Sequence, residues 1–246
     1  MKYVFTFLTM ATLLSCTMKE PLIIGHRGAM GHETENTLAS IQKAMDLGVD
    51  MIEIDVFKIK SGEIVVFHDD RLERISNAAG NIEEYNIADL NQVTLNGNHK
   101  IPMLQDVLKL INNKVRLNIE LKGANTADRV NFIVDHYVRE KGWDLNSFLI
   151  SSFKWDELKK MRELNKEIPI AILTEEDVLK GIPIAKELHA EAINPSYKTL
   201  NQEIADKIKK EGFKIYTWTV NDSSDIADVK ALKVDGIITN YPDRLH

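Results

Sequence analysis

The chain has 246 residues, one cysteine and a formal net charge of −6. A lone cysteine excludes a disulfide within the chain, and the acidic balance argues for no nucleic acid among its partners. The length fits one α/β barrel of about 250 residues, and no linker rich in proline, glycine or serine divides it.

Lys2 is followed by an almost uncharged apolar run from Tyr3 to Leu14, and then by Ser15, Cys16 and Thr17 before the charged Lys19 and Glu20. A spanning helix needs roughly 20 apolar residues, so this run reads as a signal peptide over residues 1–15. Leu13-Leu14-Ser15-Cys16 resembles the bacterial lipobox, which implies cleavage before Cys16 and a diacylglycerol on its sulfur. The expected mature protein, residues 16–246, is a lipid-anchored domain of a bacterial cell envelope, facing the periplasm. Anchoring by more than one acyl chain is stable because each buried methylene adds about 0.8 kcal/mol.

From Leu22 onward, short apolar or β-branched runs alternate with longer amphipathic stretches, the rhythm of parallel strands joined by crossover helices. Eight runs read as strands: Leu22–Gly25, Met51–Phe57, Arg116–Leu121, Phe148–Ser152, Ile168–Leu173, Ala192–Asn194, Lys214–Thr219 and Gly236–Thr239. Helices are expected over Thr37–Leu47, Gln105–Asn112, Ala127–Glu140, Trp155–Leu164, Glu175–Glu187, Gln202–Lys210 and Asp225–Leu232. Eight such units predict a closed (β/α)8 TIM barrel; an open doubly wound sheet would need a glycine-rich phosphate loop, and none is present. The stretch from Ser61 to Met103 breaks the rhythm. It turns at Ser61-Gly62, adds a strand over Glu63–Phe67 and continues as a polar segment, so it reads as an insertion in the second βα connection, beside the catalytic end of a barrel.

The first strand ends in Gly25-His26-Arg27-Gly28, and Asn36 or Thr37 further on suits the cap of the first helix. Glu53 and Asp55 lie two apart on the second strand, so both carboxylates share a face while Ile52, Ile54 and Val56 share the other. Buried carboxylates that repel one another demand a cation. Glu120 and Lys122 repeat the spacing on the next strand; Glu120 would complete a three-carboxylate set, and a plain Glu120–Lys122 ion pair is the competing account. Oxygen ligands favour a hard cation, Ca²⁺ or Mg²⁺, over zinc. Of the seven histidines, only His26 and His68 stand at strand ends.

These segments, together with Glu35-Asn36-Thr37, His68-Asp69, Trp218-Thr219-Val220-Asn221 and Asp235-Gly236-Ile237-Ile238-Thr239-Asn240-Tyr241-Pro242, resemble the glycerophosphodiester phosphodiesterase family over nearly all of the mature chain. The resemblance implies a TIM barrel with a small insertion after its second strand, and metal-dependent cleavage of glycerophosphodiesters into glycerol 3-phosphate and an alcohol. It implies metal ligation by Glu53, Asp55 and Glu120, acid/base work by His26 and His68, phosphate contacts from Arg27 and Lys122, and a glycerol-side wall at Trp218. It also implies attack by the neighbouring glycerol hydroxyl; we assign His26 as base and His68 as acid in the first step, an order that the residues themselves leave open. Two departures stand out: Thr34 where proline is common, and Arg74-Ile75-Ser76-Asn77 in place of an Arg-Thr-Thr run. Cleavage of intact or lysophospholipids in the manner of phospholipases D or C is the alternative enzyme reading. A solute-binding lipoprotein without turnover is the non-enzyme reading.

Overall fold

The computed structural model describes residues 20–246; the expected signal peptide, residues 1–15, and Cys16 lie outside the described residues. In chain order the strands are β1 (Leu22–Gly25), β2 (Met51–Lys58), β3 (Ile64–Val66), β4 (Arg116–Leu121), β5 (Phe148–Ser152), β6 (Ile170–Thr174), β7 (Ala192–Pro195), β8 (Lys214–Thr217) and β9 (Gly236–Thr239). All except β3 are parallel, and β1 pairs with both β9 and β2, so eight strands close into a barrel. The helices are α1 (Leu38–Asp46), α2 (Ile87–Leu90), α3 (Leu104–Ile111), α4 (Ala127–Lys141), α5 (Trp155–Leu164), α6 (Gly181–Glu187), α7 (Gln202–Lys210) and α8 (Ser223–Ala231). All but α2 follow a barrel strand and precede the next.

Alternation along each strand divides the core in two. Ile52, Ile54, Val56, Leu117, Ile119, Ile150 and Ile172 face outward and merge with Ile41, Leu108, Val134, Leu158 and Ile208 of the helices. Ile24, Met51, Leu149, Ala171, Ala192, Tyr216 and Ile238 fill the barrel interior. Burial on both faces is why these strands read as nearly unbroken apolar runs. The interior is sealed where the strands begin: Arg116 donates twice to Glu191, at 2.7 and 2.8 Å, and the Tyr216 hydroxyl donates to the same carboxylate at 2.7 Å. Burial alone would raise the Glu191 carboxyl, but these partners hold it at about 2.

The insertion leaves β2 through a turn at Gly62, whose φ of 98° suits glycine. It returns as β3, antiparallel to β2 with Val66 opposite Val56. The polar segment expected after it proves to have an apolar core of its own, in which Leu72, Ile75, Ile82, Leu90, Val93, Leu95 and Ile101 pack on Phe57 and Phe67. Element ends fall within two residues of expectation except at the start of α6. Helix α6 begins at Gly181 rather than near Glu175, because Pro183 is tolerated only in a first turn; β8, the seventh barrel strand, ends at Thr217 rather than Thr219.

Candidate active site

The eight sequence-predicted residues within the described chain, His26, Arg27, Glu53, Asp55, His68, Glu120, Lys122 and Trp218, all line one cleft of about 470 Å³ at the end where the strands finish. Each arrives there for a local reason. Gly25 permits a close turn, since a Cβ there would sit 2.5 Å from the Gly28 carbonyl oxygen. His26 follows at once, its backbone N–H donating to the Thr239 carbonyl at 2.9 Å. His68 is placed by the hairpin: the N–H of Phe67 donates to the Asp55 carbonyl at 3.0 Å, which brings the next residue to the rim above β2.

Glu53, Asp55 and Glu120 offer one oxygen each within 4.8 Å of one another, and all three side chains are buried. Burial, with the charges of Asp55 and Glu120 beside it, pushes the Glu53 carboxyl well above the usual range, and burial with Asp55 raises Glu120 to about 7. Glu53 Oε1 has no hydrogen-bond partner. A buried, mutually repelling set of oxygens with an orphaned acceptor fits a hard divalent cation. Lys122 covers one side of the set, with Nζ 3.1 Å from Glu120 and 4.0 Å from Asp55. The Glu120–Lys122 ion pair therefore exists within the carboxylate cluster rather than in place of it. Burial opposes the charge of Lys122, but Glu120 and Asp55 hold its ammonium above the usual range.

His26 Nδ1 meets Asn240 Oδ1 at 2.7 Å, and its Nε2 lies 3.9 Å from Glu53. Burial, reinforced by the charge of Arg27, pushes His26 down to about 4. His68 Nδ1 meets the Asp69 carboxylate at 2.6 Å, and its Nε2 lies 3.3 Å from Lys122 Nζ; burial lowers it as well. Because a carboxylate only accepts, Asp69 places the His68 proton on Nδ1 and leaves Nε2 for the cleft. The Arg27 N–H donates to Glu53 at 2.9 Å, while its guanidinium reaches Glu35 at 2.8 Å and approaches Asp55 at 3.3 Å.

Asn36, expected as a possible helix cap, has another task. Thr37 caps α1, accepting from the Ser40 N–H at 3.2 Å, while Asn36 donates to Asp55 Oδ2 at 2.9 Å and accepts from the Asp55 N–H. Several groups escaped the sequence reading. Asn118 and Ser151 line the cleft with buried oxygens that have no partner, and Phe153 stands edge-on to Trp218 with ring centroids 5.4 Å apart. The available signal was alternation: Asn118 is polar at an inward position two residues before Glu120. Glu35, Asp69, Arg74 and Asn240 act on cleft residues from behind, and no spacing rule marks such groups.

The model of the glycerophosphoryl diester phosphodiesterase family matches residues 26–244. The chain belongs to this family. YhdW of Bacillus subtilis, provisionally named a glycerophosphodiester phosphodiesterase, is 33% identical over 231 residues, covering 90% of this chain and 95% of its own. The glycerophosphodiester phosphodiesterase of Caldanaerobacter subterraneus is 30% identical over 233 residues, covering 91% and 96%. Among solved structures, an Oleispira antarctica phosphodiesterase in complex with the product sn-glycerol-3-phosphate superposes with a TM-score of 0.84 at 26% identity, covering 92% of this chain and 95% of that one. The three-carboxylate cluster of this chain thus lies in a cleft at the strand ends of the family's barrel.

Proposed function

We propose that this family member hydrolyses glycerophosphodiesters to sn-glycerol 3-phosphate and an alcohol, using one divalent cation, Ca²⁺ or Mg²⁺, and two histidines. The observation that carries the reading is the meeting of His26, His68 and the three buried carboxylates in one cleft. When bound by Glu53, Asp55 and Glu120, the cation would neutralise charge growing on the phosphoryl oxygens. Arg27 and Lys122, which approach different oxygens of Asp55, hold the phosphate. His26, neutral at working pH, takes the proton of the neighbouring glycerol hydroxyl as that oxygen bonds to phosphorus. His68 acts in its doubly protonated form: with the Nδ1 proton held by Asp69, it delivers the proton on Nε2 to the oxygen of the departing alcohol as its bond to phosphorus breaks and is left as the Nδ1–H imidazole. Water then opens the cyclic phosphate with the two roles exchanged. Trp218 walls the glycerol side.

The test is release of glycerol 3-phosphate from a panel of glycerophosphodiesters by the chain from residue 17 onward, with Ca²⁺, Mg²⁺ or EDTA. Release that needs a cation, and that His26→Ala removes, is the expected result. No release from any diester, with hydrolysis of lysophospholipid micelles instead, would replace this reading with the lipase-like one, and cation-independent release would remove the metal from it. Residues 1–15 we read as a signal peptide and Cys16 as the lipid-bearing first residue of an envelope protein facing the periplasm, supported by the lipobox-like Leu13-Leu14-Ser15-Cys16. Metabolic labelling with a fatty acid, lost in Cys16→Ser, checks this; label retained in that variant would overturn it.

A further inference from the structure

Thr34 and the Arg74–Asn77 run, noted above as departing from the family's usual motifs although Arg74 itself keeps the motif's arginine, lie along one seam between the insertion and the loop from β1 to α1. Thr34 Oγ1 donates to the Asn96 carbonyl of the insertion at 2.9 Å, a bond that proline could not make. Arg74 crosses the same seam with all three guanidinium nitrogens engaged. Nε donates to Asp69 Oδ2 at 2.5 Å, Nη1 to Glu35 Oε2 at 2.8 Å and Nη2 to Glu35 Oε1 at 2.6 Å.

Both acceptors stand directly behind a group that does chemistry in the proposed reaction. Asp69 holds His68 Nδ1, and Glu35 holds the Arg27 guanidinium. Glu35 is buried while Arg74 is 46% exposed, so Arg74 reaches inward from the surface without lining the cleft. His68 belongs to the insertion and Arg27 to the barrel. Among the described residues, Arg74–Glu35 is the only side-chain hydrogen-bonded pair joining the segment 68–76 to the segment 26–37. Two loops that must agree in position are thus joined by one planar fork, a geometry that a lysine point charge cannot reproduce.

We propose that Arg74 is a positioning residue: by bridging Asp69 and Glu35 it fixes the orientation and tautomer of His68 and sets Arg27 against it, so that insertion and barrel form a single site. This rests on the phosphodiesterase reading for its kinetic consequence but not for its structural one. In Arg74→Gln the guanidinium bridge is lost while Asp69, Glu35 and every cleft residue remain. A sub-ångström drift of a proton-transfer group costs rate rather than affinity, so kcat is expected to fall roughly tenfold or more with KM little changed. Ethylguanidinium, admitted by the exposure of position 74, should restore part of the loss.

The deciding readout is the ¹⁵N spectrum of the His68 ring. The native protein should show its proton on Nδ1, and Arg74→Gln a mixture of tautomers. That signal does not depend on turnover, so it stands even if no glycerophosphodiester proves to be a substrate. Native kcat together with an unchanged Nδ1–H signal in Arg74→Gln would overturn the proposal. Should that variant fail to fold, Arg74→Lys decides: an intermediate kcat and partial tautomer mixing support the bridge, and native values for both overturn it.

Discussion

Glu53 and Glu120 sit where both burial and like charge oppose ionisation, and this gives the cation-free protein a distinctive pH response. A carboxyl whose folded pKa is raised binds its proton more tightly in the folded state, so its contribution is fully present below the unfolded value and is lost as pH rises through the folded one. For Glu120 that window runs from 4.5 to about 7. EDTA-treated protein should therefore lose Tm across this window, Glu120→Gln should lose less, and added Ca²⁺ or Mg²⁺ should flatten the native curve; a native slope unchanged in the variant would contradict the site. His26→Ala and His68→Ala are each expected to cost on the order of 10²-fold or more in kcat, measured by glycerol 3-phosphate release. Near-native turnover in both would sink the assignment. At this scale the sequence was informative where a histidine followed a strand, as at His26 and His68, and where charged residues two apart shared one face of an apolar strand, as at Glu53 and Asp55 and at Glu120 and Lys122. It assigned Glu35 and Arg74 no role in the site, because an ion pair between distant positions cannot be told from two ordinary surface charges until the fold brings positions 35 and 74 together.

Among the elements, the barrel strands were the most legible, since burial on both faces leaves an apolar run that no loop imitates. Boundaries were weaker: α6 starts late because Gly181 and Pro183 set its first turn, although the surrounding pattern looks helical. The insertion's core went unseen because its apolar residues follow neither a 2.0 nor a 3.6 period, so periodicity had nothing to detect. The plug across β4, β7 and β8 makes its own prediction. Glu191 is held at about 2, below its ordinary 4.5, so its contribution is present above 4.5 and is lost as pH falls towards 2. Breaking this pair leaves Arg116 uncompensated. Glu191→Gln should cost on the order of 2 kcal/mol at neutral pH, allowing for the solvent that still reaches the pair. Urea unfolding at pH 7 and at pH 3 tests it, and equal losses at the two values would show that charge is not the cause.

For the whole molecule, eight βα units predicted closure, and closure is what separates a sealed end from a working end. The described chain enters at Glu20, which pairs with Lys230 at 3.0 Å beside the last turn of α8, where the strands begin. The cleft opens at the opposite end. Four residues lead from Cys16 to Glu20, a reach of at most about 14 Å. A lipid on Cys16 would therefore moor the barrel by its floor, like a cup set on a table, with its mouth towards the water and away from the bilayer that holds it. Such an enzyme would collect dissolved head-group diesters drifting past rather than lipids lodged in its own membrane. Tethered to vesicles, it should hydrolyse a soluble glycerophosphodiester as fast as the free chain does, while lysophospholipid embedded in those vesicles is spared; preferential attack on the embedded lipid would show that the mouth reaches the membrane after all.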